Sequence, residues 1–186
     1  MPEIGEGVDH GERLAANAGA EKEAWAATLE DMQALASELE DDGWSTITIQ
    51  AGSTAPMGRS GDDDHFGLVY VIPGNKAEPF SEAVEAGDFP EYEVYRAEQS
   101  GKVFLVTEYR DPETKTAILI AGMYALRNAV GCAQTAVEEE MLYTHVQKLD
   151  ATHLGSFRHD DYEKFFPSIA DVESWADVDD AAMNYD

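Results

Sequence analysis

The chain has 186 residues, with 38 Asp and Glu against 12 Lys and Arg, for a formal charge of -26. So few cations exclude binding to a phosphate backbone as a main activity, because counterion release needs clustered Lys and Arg. A hydrophobic share of 44%, with 10% aromatic, is enough to fill a core and excludes a disordered acidic chain.

Self-repulsion at this charge destabilises a compact domain in dilute buffer. The Debye length falls to about 3 Å at 1 M salt, where that repulsion is mostly screened. The composition therefore predicts a halophilic protein of a salt-filled cytoplasm. No apolar run reaches the length of a membrane span. The start, MPEIGEGVDHGERL, lacks the basic and apolar regions of a signal peptide. Cys132 stands alone, so no intramolecular disulfide is expected, and it reads as a small packing residue.

Residues 1–20 show no apolar period and read as a mobile acidic arm. Trp25, Leu29, Met32, Leu35, Ala36 and Leu39 then recur at helical spacing, which predicts a helix over 21–41 closed by Gly43. Ile47 and Ile49 alternate with polar residues as in a half-buried strand. GSTAPMGRSGDDD reads as a loop, and FGLVYVIPG as a central strand stopped by Pro73 and Gly74. Residues 79–87 form a short helix beginning at a proline. Strands over 92–97, 103–109 and 116–121 follow, joined by short turns as an antiparallel meander. A helix over 124–139 and a last strand, LYTHVQKL, complete the domain.

The expected order is α-β-β-α-β-β-β-α-β. It describes an α+β domain over 21–167, with a mainly antiparallel sheet of about five to six strands and flanking helices. This order resembles that of roadblock-type domains in the profilin-like group. Residues 168–186 read as an acidic tail, in which Ile169, Val172 and Trp175 have the spacing of a short amphipathic segment.

The stretch over 142–167 is the richest in chemistry. His145, His153 and His159 fall there with Asp160, Tyr143 and Arg158. Two or three imidazoles with a carboxylate suit zinc, manganese or ferrous iron, so His145, His153, His159 and Asp160 are the candidate metal ligands. Tyr143, His145, His153, Arg158 and His159 are the candidate ligand- or partner-binding residues. The competing bland reading has His145 packed in a strand and His159 beside a capping turn. A second candidate is Asp62, Asp63, Asp64 and His65, which could hold a divalent cation from a Gly-rich loop. Asp111, Glu113 and Lys115 read as a hairpin turn. No dinucleotide, P-loop, nucleophile-elbow or CxxC motif is present, so no cofactor is evident, and a divalent metal is the one the residues leave open.

HFGLVYVIP at 65–73, YTHVQKL at 143–149 and THLGSFRHDD at 152–161 resemble an uncharacterised family of short acidic proteins from halophilic archaea, over about residues 22–167. That resemblance implies a host and no activity.

The expected function is a small cytoplasmic binding, adaptor or regulatory domain without an evident catalytic site. Its partner would be a protein or a second copy of the chain, with no nucleic acid or membrane. The alternatives are a metal-dependent enzyme using the C-terminal histidines and a structural subunit of a larger assembly.

Overall fold

The computed structural model describes residues 2–59 and 65–176, with 2–15 as backbone alone. The first helix, α1 (Pro2–Asp41), contains the expected one and continues it back to Pro2. Leu29, Met32, Leu35 and Leu39 pack on Val106, Ala117, Leu119 and Ala121. Gly43, at φ 89°, ends the helix in the left-handed region.

Strands β1 (Ser45–Gln50), β4 (Glu91–Gln99), β5 (Lys102–Asp111) and β6 (Thr116–Ala125) form one sheet in the order β1-β6-β5-β4. The meander is β4-β5-β6, and β1 joins β6 in parallel. Strands β2 (Ser53–Met57), β3 (Gly67–Ile72), β7 (Leu142–Lys148) and β8 (His153–His159) form a second sheet in the order β2-β3-β7-β8. There β3 and β7 are parallel, and the outer pairs are antiparallel.

The two mixed sheets face one another. Ile49, Tyr109, Ile118 and Ile120 from the first meet Tyr70, Ile72 and Val146 from the second. Two buried hydroxyl pairs tie the layers together: Tyr70 to Thr107 at 2.7 Å, and Tyr109 to Thr144 at 2.7 Å. Each phenol thus keeps a partner inside an otherwise apolar core. Helix α2 (Gly74–Ala86) contributes Phe80 to this cluster. Helix α3 (Val130–Glu139) packs Cys132, Ala133 and Ala136 with Phe165, Phe166 and Trp175. Burial pushes the Cys132 thiol up to about 12, as suits a packing residue. Trp175 is 4% exposed, so the segment that follows residue 168 docks on the domain through this side chain.

The α+β class and the expected elements are present, with two more strands than the sequence suggested and with α2 starting at Gly74, so that Pro79 lies inside the helix and not at its start. Local signals missed β2 because it contains Pro56 and follows Gly52, and only an edge strand tolerates such residues. They missed β8 because Gly155 and a register shift break its alternation. The helix expected from Tyr124 begins at Val130. Residues 124 and 125 instead extend β6 against Val103 and Lys102.

Candidate functional site

Strand alternation gives the second sheet an inner and an outer side. Leu142, Thr144 and Val146 of β7 face the core and are fully buried. Tyr143, His145 and Gln147 therefore face outward. On β8, Ser156 pairs with His145 and Arg158 with Tyr143, which places both on the same outer side.

His153 joins them because of a bulge. The register shifts between Val146 and Gln147, so that Val146 pairs with Gly155 while Gln147 pairs with His153. Residues three apart in a regular strand point to opposite sides. The extra residue turns His153 to the side of Ser156, and re-aiming a side chain in this way is a recurrent use of bulges beside functional sites.

His65 reaches the same place from the segment entering β3. Its ring stacks on His145 with centroids 3.8 Å apart and planes 19° apart, and lies 5.9 Å from the His153 ring. Gly67 fixes this approach. Its φ is +133°, and a Cβ there would lie 2.0 Å from the Tyr143 carbonyl oxygen. Only glycine lets the β3 backbone sit so close to β7 in that conformation.

The hydrogen bonds orient the imidazoles. His145 Nε2 lies 3.0 Å from the Phe66 carbonyl oxygen, which can only accept, so Nε2 carries the proton. Nδ1 is then a lone pair, and it accepts the Ser156 hydroxyl at 2.7 Å. Ser156 Oγ accepts in turn from His153 Nε2 at 3.1 Å. Ligand nitrogens of His65, His145 and His153 all lie within 4.8 Å of one another. Tetrahedral zinc with bonds of about 2.0–2.1 Å requires nitrogens about 3.3 Å apart. A metal would therefore draw the three rings closer, with His65 and His153 exposed and His145, only 4% exposed, as the anchor of the set. An imidazole that gives one N–H to a backbone carbonyl has the outer partner typical of metal-binding histidines.

Of the proposed metal set, the structure brings His145 and His153 together and leaves His159 and Asp160 out. His159 is on the inner side of β8, 1% exposed, with Nε2 2.8 Å from Thr144 Oγ1. The rings of Tyr92 and Phe165 lie 4.3 and 4.8 Å from it. Asp160 is exposed and pairs with Arg158 at 3.4 Å. Tyr143 and Arg158 border the histidines on the outer side, as described above. The second candidate supplies His65, while residues 62–64 lie outside the described residues. Asp111 accepts a hydrogen bond from Thr114 at 2.8 Å, within the expected hairpin turn.

The sequence offers His65 as a cation ligand with Asp62, Asp63 and Asp64, but shows neither its union with His145 and His153 nor the part of Ser156. The one available signal was a histidine immediately preceding a central strand, which pairing could bring to the level of His145. Two open clefts, of about 670 and 660 Å³, lie elsewhere among the described residues. The first lies between Trp25, Met123 and the β1–β2 junction, with Lys102 at its edge already paired to Glu21 at 3.0 Å.

His159 makes acid sensitivity a property of the core. Burial depresses its basicity to about 3, against an unfolded value of about 6.5. The folded state thus binds fewer protons than the unfolded state between those values. The stability from the neutral ring is complete above about pH 6.5 and falls as pH drops toward 3. Denaturation series at pH 4, 5 and 6 should show a slope of stability against pH steeper by roughly 1.4 kcal/mol per unit in the parent than in His159→Leu. Equal slopes would show that His159 does not titrate with unfolding.

A family model described as a family of unknown function (DUF7529) matches residues 11–167. No curated protein and no solved structure matches the chain.

Proposed function

We propose that this chain, which belongs to that family, is a transition-metal-binding domain whose ligands are His65, His145 and His153. The observation that carries the reading is the convergence of three imidazoles from three separate segments, one of them re-aimed by a bulge. Three neutral nitrogens suit zinc and its first-row neighbours better than magnesium or calcium, which prefer oxygen. The Ser156 hydroxyl holds His145 and His153 toward one point, where a metal would take its place once the His153 proton sits on Nδ1. The binding or regulatory role expected of the domain would then be exercised through the metal. Isothermal titration of chelator-treated protein with zinc tests this, with one zinc per chain as the expected stoichiometry. Absence of binding would remove the reading.

We also propose that the protein works in a salt-rich cytoplasm, on the strength of its charge of -26, and in an archaeal host, as its resemblance to acidic archaeal proteins implies. Among the described residues no helix is long and apolar enough to cross a membrane. Circular dichroism across KCl concentrations should show loss of the fold in low salt, as the Debye length grows from about 3 Å at 1 M to about 30 Å at 0.01 M. An unchanged spectrum at low salt would refute the halophilic reading. A protein partner or homodimer is proposed on the exposed apolar side chains Met57, Val137 and Leu149. Light scattering in molar KCl that shows a clean monomer at micromolar concentration would remove the homodimer.

A further inference from the structure

Beyond the metal itself, we infer that the site takes an oxyanion as an exogenous metal ligand, gripped on its far side by Arg158. This inference rests on the metal-binding reading.

Three observations support it. The three protein ligands are neutral imidazoles, so a bound divalent metal keeps its full charge. Three protein nitrogens also leave a tetrahedral ion one position short, and His65 and His153 are exposed, so that position opens to solvent.

The surrounding surface is the second observation. Tyr143, His145, Gln147, His153, Ser156 and Arg158 make up the outer side of β7 and β8. The outward positions of β2 and β3 add only serine, alanine, methionine, glycine and valine. None of the four strands presents a carboxylate on this side. About one residue in five of the whole chain is acidic, so a dozen positions drawn evenly would carry about two. The carboxylates nearest to the site in sequence are Asp160, paired to Arg158, and Asp62, Asp63 and Asp64, which lie outside the described residues.

Arg158 is the third. It lies two residues beyond Ser156 on the same side of β8, a rise of about 7 Å, which a guanidinium can span back toward the metal. Its present partner, Asp160, lies 3.4 Å away, and the side chains are 63% and 82% exposed. A pair that open to water is held weakly and exchanges readily. The planar fork of arginine matches the paired oxygens of a phosphate or a carboxylate. The common chemistry is an oxyanion with one oxygen on the metal and another on Arg158.

The experiment loads the full chain with cobalt(II) in constant molar KCl and follows the visible ligand-field spectrum. Inorganic phosphate is titrated into the parent and into Arg158→Gln, and acetate into both as a second arm. The expected result is a saturable spectral change in the parent, about tenfold weaker binding in Arg158→Gln, and equal cobalt affinity in the two. Tighter binding of phosphate than of acetate would assign the site to phosphate-bearing ligands, and the reverse to carboxylates. A cobalt-loaded protein whose spectrum ignores both anions, or responds equally with and without Arg158, would overturn the inference and leave the metal site standing. If no cobalt spectrum develops, both readings fall, and the missing spectrum distinguishes that case.

Discussion

Replacing Gly67 with alanine is expected to cost at least about 4 kcal/mol, by adding a strained backbone conformation to a backbone collision. The φ of +133° is one that residues with a Cβ rarely adopt. The added carbon would also meet the Tyr143 carbonyl oxygen at 2.0 Å and the carbonyl carbon at 2.7 Å. Both atoms belong to β7, a central strand hydrogen-bonded on two sides, so they cannot move away cheaply. Domains of this size are stable by only about 5–15 kcal/mol, so such a loss removes a large share of the total. Thermal unfolding in molar KCl should show a fall of roughly 10 °C or more. A melting temperature within a degree or two of the parent would mean that β3 and β7 do not approach as closely as described. Gly52 provides the control, because a Cβ there would meet only one atom, at 3.7 Å.

The second large effect concerns His145. His145→Ala should weaken zinc binding by at least about 100-fold, more than the loss of an outer-sphere partner usually costs. His145 is the buried member of the set, and its orientation is fixed by both Phe66 and Ser156. His65→Ala and His153→Ala should each weaken binding strongly as well. A titration of each variant checks this, with circular dichroism confirming that each remains folded. Zinc affinity unchanged in His145→Ala would remove that residue from the ligand set.

How much of this could be read in the sequence depended on how local the signal was. The α1 stripe from Trp25 to Leu39 follows from its spacing, because a helix writes its buried face into 3.6-residue periodicity. The meander follows from short turns such as the one at Asp111. The division into two sheets does not follow, because nothing local in FGLVYVIPG states whether β3 will pair with β6 or with β7. That choice is made by long-range packing of Leu68, Tyr70 and Ile72.

The site shows the same limit. His145 and His153 stand out as candidates because both lie in one histidine-rich stretch. His159 groups with them by proximity in sequence, yet strand alternation sends it into the core beside Tyr92 and Tyr109. His153, by spacing alone, should face away from Ser156, and only the bulge reverses it. His65 is 80 residues from His145 in sequence and joins it through parallel pairing of β3 with β7.

The most direct test is elemental analysis of the protein purified in molar KCl without chelator, beside His65→Ala/His153→Ala and His159→Leu/Asp160→Asn double variants. The account predicts about one transition-metal ion per parent chain, none in the first variant, and an undiminished content in the second. Metal that persists without His65 and His153, or that disappears with His159 and Asp160 from a folded protein, would contradict it.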